Sequence, residues 1–179
     1  SRNGHPTASI DGLGIHHVEQ FIQQPVHPGT NNQTIPDYVE MIANGESSEL
    51  TTPLQVSEQL HSHSDRALSI INDFKEFENE ELSYTIDDIK SISYLGKYYA
   101  YKISGTTHVA LFRKTEDKKH QTHAVKELEM ALDFWQKYTE NAMKQYINPI
   151  WMKRVGMADW VKFTEYAIKD IEIAKQKLE

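Results

Sequence analysis

The chain contains no cysteine. Disulfide frameworks, Cys-ligated zinc and thiol nucleophiles are excluded by that fact alone. Long apolar runs are also missing: the longest are a few residues, against the roughly 20 needed to span a bilayer. A basic surplus is missing too. Nineteen Lys and Arg face 26 Asp and Glu, a formal charge of −7. Binding a nucleic-acid backbone needs the opposite balance, so no nucleic-acid partner is expected. Eight Gly and six Pro are too few for a low-complexity chain. What remains is 179 residues with 39% hydrophobic and 25% charged content, enough to bury a core. The sequence opens Ser-Arg-Asn-Gly without Met and without a signal-peptide pattern, and reads as a processed product or an excised piece of something longer.

Glycine and proline divide the chain. Residues 1–50 hold Pro6, Pro25, Pro28 and Pro36 together with Gly4, Gly12, Gly14, Gly29 and Gly45. That density breaks regular elements. Two short helices are expected, at 17–24 and 36–43, the second with Thr34 ahead of it and Asn44-Gly45 as its stop. Residues 1–50 therefore read as an irregular N-terminal arm, the tail of a missing upstream domain.

From residue 51 to 179 the spacing is helical. A first long helix is expected from Thr52-Pro53 to 72–74, with Val56, Leu60, Ala67, Ile71 and Phe74 on its apolar stripe. An acidic linker at 76–81 follows. A second helix should start at Thr85 as its cap, with Asp87 and Asp88 at the positive end of its dipole, and run to about 114. The third spans about 117–146, with Ala124, Leu128, Ala131, Trp135, Tyr138 and Ala142 spaced 4-3-4-3-4. After a loop through Asn148-Pro149 the last begins at Asp159 and carries Trp160, Thr164, Ala167, Ile171, Ala174 and Leu178 in the same rhythm. Four one-sided helices with short connections bury their stripes against one another. The expected fold is all-α, an antiparallel up-down four-helix bundle with an irregular N-terminal arm.

The second helix carries two apolar faces. Ile89, Ile92, Ser93, Gly96, Ala100, Ile103, Thr107, Ala110 and Leu111 make a small-residue face expected to meet the bundle. Tyr94, Tyr98, Tyr101, Gly105 and Phe112 make a ring-rich face that a bundle helix does not need. Either the arm folds over these rings, or they form an interface with a missing domain or a sugar-stacking platform. The interface is the preferred functional reading.

Candidate chemistry is sparse. His120 and His123, with Glu116 and Glu127 nearby in sequence, are weak metal candidates that read more simply as a solvated helix start. Glu58 and His61 form one Glu-x-x-His pair where a di-iron bundle needs two, and the inner stripes of the last two helices read as free of carboxylate. Arg113 and His120 resemble the Arg-x(4–6)-His motif of the helical HEPN nucleases, but the pair straddles a turn. Two carboxylates set across a cleft, as glycosidases use, are not apparent. No catalytic residue and no cofactor are assigned.

The runs Thr52-Pro53-Leu54-Gln55-Val56, Ile89 to Ala100 (Ile-Lys-Ser-Ile-Ser-Tyr-Leu-Gly-Lys-Tyr-Tyr-Ala), Ala131-Leu132-Asp133-Phe134-Trp135, Arg154-Val155-Gly156 and Asp170-Ile171-Glu172-Ile173-Ala174 together resemble a known region. It is the C-terminal helical region of large bacterial glycoside hydrolases that degrade polysaccharides, some described as α-glucuronidase-like or carbohydrate-binding. The resemblance covers about residues 35–175 and rests on packing motifs. It implies a non-catalytic accessory domain that buttresses an upstream catalytic domain of the same polypeptide and borders its substrate cleft. It also implies an exported protein whose partners are that domain and a polysaccharide, with no membrane span. The alternative is a free-standing helical protein-interaction module.

Overall fold

The computed structural model describes residues 15–73, 79–152 and 156–176. Six helices follow in order: α1 (Val18–Ile22), α2 (Ile35–Asn44), α3 (Pro53–Asn72), α4 (Glu80–Thr115), α5 (Lys118–Ala142) and α6 (Trp160–Lys175). Between α5 and α6 lies a two-stranded antiparallel hairpin, β1 (Ile150–Met152) and β2 (Gly156–Ala158). The protein is all-α, built on four long helices.

Local chemistry sets most boundaries. Thr52 accepts from the Gln55 N–H while the Gln55 side chain accepts from the Thr52 N–H, a reciprocal cap that starts α3 ahead of Pro53. Thr34 caps α2, and Gly45 ends it in the left-handed conformation at φ 68°. Asp117 caps α5, and Asp159 caps α6 by accepting from the Val161 and Lys162 N–H groups. The start of α4 departs from expectation: Asn79 is the cap, and Thr85 sits inside the helix with its hydroxyl donated to the Glu81 carbonyl. Glu80 and Glu81, expected in the linker, form the first turn of α4. The third long helix stops at Ala142, short of 146. Phe74 and Leu178, placed on apolar stripes, lie outside the described residues, as does the first half of the 76–81 linker.

The long helices run up and down. Ser57 donates to the Ala100 carbonyl, and Ser64 lies beside Gly96, so α3 and α4 are antiparallel. Gly105 packs on Leu128 and Ala124 while Asn141 reaches the Asp87 carbonyl at 2.6 Å, so α4 and α5 are too. Gln121 bonds the Ala174 carbonyl, and Trp135 bonds the Trp160 carbonyl, which orients α6 against α5. Helices α3 and α6 make no extended contact, so the fourth side of the array is not a helix pair. The arm occupies it. Val18 joins Val109, Ala124, Leu128, Ile171 and Ala174 in one core cluster, and Ile35 and Val39 of α2 pack on Leu111.

Candidate functional site

The two apolar faces of α4 have a simple origin. Helix α4 is the middle of three: α3 packs on the small-residue face and α5 packs on the ring-rich face. A helix covered on both sides needs apolar residues on both. Tyr98 lies 5.1 Å from Trp135 between ring centroids, Tyr101 stacks on Phe134 at 5.5 Å, and Tyr94 sits 6.2 Å from Phe134. Tyr98 and Phe112 are buried, and Tyr94 and Tyr101 are half-buried. The rings are therefore not one open face. Trp135 and Phe134 of α5 lie against Tyr94, Tyr98 and Tyr101, and Ile15 of the arm packs on the cluster that contains Tyr98. Ile92, placed on the face toward the bundle, is instead exposed.

Behind Tyr98 lies a buried polar group of side chains that no local pattern marks. Lys102 (1% exposed) holds Asp170 (2% exposed) at 2.6 Å and donates to the Tyr98 hydroxyl at 3.1 Å. The second Asp170 oxygen accepts from the Val18 N–H at 2.7 Å. Burial pulls the Lys102 ammonium down, but Tyr98 and Asp170 outweigh it and the group ends above its ordinary value. Burial pushes the Asp170 carboxyl up against the pull of Lys102. These directions oppose each other; the short contact and the Val18 N–H favour the charged pair. Burial also pushes the Tyr98 phenol up to about 12. Asp170 overturns the expectation that the inner side of the last helix lacks a carboxylate. Its signal was available: Asp170 sits three residues after Ala167, on the stripe itself.

At the α4–α5 turn three histidines gather. His108 Nδ1 lies 2.9 Å from His120 Nδ1, and the His123 ring meets His108 edge-on at 5.2 Å. Burial, then His120 and His123, hold His108 down at about 4. His120 is half-buried and His123 exposed. Sequence reasoning named His120 and His123 but missed His108, about two turns before the end of α4. Two ring nitrogens converge here, and among the described residues no three donors are placed to hold a metal ion. Arg113 turns away from His120: both its terminal nitrogens bond the Glu19 carboxylate, at 2.5 and 2.8 Å. The nuclease-like pair is therefore not assembled. Glu58 is exposed, and His61 meets the edge of Tyr101 at 4.3 Å, so that pair is not a ligand set either.

Two hollows lie beside the arm. A polar one of about 430 Å³ is bordered by Glu49, Gln55, Glu58, Gln59 and Ser62, and an apolar one of about 180 Å³ by Phe21, Val26, Ile35, Pro53 and Ile103. No helix among the described residues is long and apolar enough to cross a membrane.

No protein-family model matches the chain, and no curated protein matches it. Its fold is similar to part of a solved GH138 enzyme targeting pectin rhamnogalacturonan II. The TM-score is 0.71 at 16% identity, over 92% of this chain and 27% of that one. The chain thus spans about a quarter of that enzyme's length, and the likeness is one of fold.

Proposed function

We propose that this chain is a non-catalytic helical accessory domain of a polysaccharide-degrading glycoside hydrolase, with the catalytic domain upstream in the same polypeptide. One observation carries the reading: nearly the whole chain takes the fold of a minor part of a much longer glycoside hydrolase. The interior of the domain supports it. The deeply buried Asp170 is locked by Lys102 and Val18, an arrangement that holds helices together and leaves no carboxylate free to move a proton there. On this reading the domain buttresses the catalytic domain, borders its cleft, and belongs to an exported enzyme acting on an external polymer.

The test is to express the complete open reading frame and the 179-residue chain separately and assay both on pectic and other plant polysaccharides. The complete product should release sugar and the 179 residues alone should not. Hydrolysis by the short chain would overturn the reading. So would a reading frame without a hydrolase domain, which would favour the free-standing interaction module.

A further inference from the structure

The hairpin between α5 and α6 is apolar on both faces. Side chains alternate along a strand, and directly paired residues share a face. Ile150 pairs with Ala158, and Ala158 is buried in the cluster with Tyr98, Trp135 and Phe163, so that face turns inward at Ala158 while Ile150, 39% exposed, stands at its edge. Trp151 pairs with Met157 on the other face, and these are 66% and 53% exposed. A two-stranded ribbon is marginal by itself and rests on what packs against it. Here only one side is packed. Ile147 just before the hairpin is 82% exposed, and Val161 in the first turn of α6 is exposed too. Asn148 holds these segments together: it donates to the Asp159 carboxylate and accepts from the Trp160 N–H. Tyr146, also exposed, is anchored by its hydroxyl to Asp88 of α4.

The two ends of the helical array therefore differ. At the C-terminal end of α4 the arm closes the structure, with Glu19 on Arg113 and Glu40 on Lys114. At the N-terminal end, Trp151 and Met157 are paired on an open face, and Ile147 and Val161, in the segments flanking the hairpin, are exposed as well. Such a surface, outside the core of its own domain, marks a contact site.

We infer that this outward hairpin face, with Ile147 and Val161, is the seat on which the catalytic domain of the same polypeptide packs. The inference rests on the functional reading above, and the occupant follows from the same comparison. The matched helical part is 27% of the GH138 chain, so most of a chain of that kind lies outside the helical array and is available as its neighbour. The unpaired Trp151–Met157 face supplies the large, rigid contact area that anchors such an interface.

The absence of cysteine makes the test direct, because Met157→Cys and Trp151→Cys each introduce one thiol into these 179 residues. Both positions are solvent-facing here, so neither substitution disturbs the core. Each variant of the full-length polypeptide is labelled with a maleimide, and the modified peptide is quantified by mass spectrometry. Ile92→Cys, exposed on α4, serves as reference, and each rate is normalised to that in denaturant. A seated hairpin slows labelling at 157 and 151 on the order of tenfold relative to 92, as expected for a buried anchor. Equal rates in a polypeptide that does carry a hydrolase domain would overturn the seat and leave the accessory-domain reading standing. Protection that vanishes on dilution, with a dimer seen by light scattering, would overturn it in favour of a second copy. A reading frame without a hydrolase domain would remove both proposals together.

Discussion

The Lys102–Asp170 pair ties three elements with two side chains, and its worth depends on which partner is lost. Removing Asp170 leaves an ammonium buried at 1% exposure and a Val18 N–H without its acceptor. A stranded buried charge costs about 3–5 kcal/mol. Asp170→Ala should therefore lower the urea-unfolding free energy by about that amount. Lys102→Met combined with Asp170→Leu should recover a large part of it, since no charge is then left behind. If the double variant were as unstable as the two single losses added together, the pair would not be acting as a unit. His108 makes the second prediction at this scale. Its folded value near 4 lies below its ordinary value of 6.5, so the unfolded chain takes up the proton more readily. The associated stability is complete above about pH 6.5 and drains away as pH falls toward 4. After allowance for a ring that is partly open to water, the loss is about 1–2 kcal/mol. Histidine proton shifts followed by NMR should place the His108 midpoint well below 6.5, and His108→Leu should flatten the fall in stability over that window.

Among elements, the contact between α4 and its two neighbours is tested by its two glycines. A Cβ at Gly105 would fall 2.7 Å from Leu128 Cγ and 3.3 Å from the Ala124 carbonyl oxygen, inside the core of the α4–α5 seam. A Cβ at Gly96 would meet the Ser64 hydroxyl, an end group that can rotate aside. Replacing a helical Gly by Ala gains about 0.5–1 kcal/mol where space allows. Gly105→Ala should nonetheless destabilise by about 1–3 kcal/mol, the usual cost of overpacking, while Gly96→Ala should be near neutral or stabilising. Thermal unfolding of the two variants side by side distinguishes these signs. The same seam shows what was legible in the sequence. The rhythm of Ala124, Leu128, Ala131, Trp135 and Ala142 gave the inner side of α5, because all five are buried. The caps Thr34, Thr52 and Asp159 were legible because capping is a local exchange of hydrogen bonds. Thr85 misled because a hydroxyl inside a helix can bond the carbonyl four residues back and imitates a cap in sequence. The hairpin was missed because strands of three residues carry no usable period. The ring-rich face was recognised as needing a cover, but sequence spacing does not say which helix supplies it. His108 and Asp170 were missed for a related reason: their partners lie on other helices, 12 and 68 residues away.

At the scale of the whole molecule, the question is whether the arm belongs to the helical array. Its composition reads as a separate tail, yet its described part stands where a bundle would place the contact between α3 and α6. Val18 is fully buried among residues of α4, α5 and α6, and its N–H is bound by the carboxylate that also holds Lys102. Further along, the Gln33 N–H donates to the Thr51 carbonyl at 2.9 Å and the Thr51 N–H donates to the Asn31 carbonyl at 2.8 Å, which ties the arm to the residues just before α3. Tails that merely drape over a domain open at little cost, whereas segments that complete a core open only with it. Native-state hydrogen exchange should therefore give the Val18 amide a protection close to that of mid-α5 amides such as Trp135. Residues 27–30, in an exposed turn, should exchange fast. Asp170→Asn keeps an acceptor near the Val18 N–H but weakens the hold on Lys102, so it should lower protection at Val18 and in α6 together. Fast exchange at Val18 in the unmodified protein would make the arm a tail after all, and the long helices would then have to hold without the fourth wall.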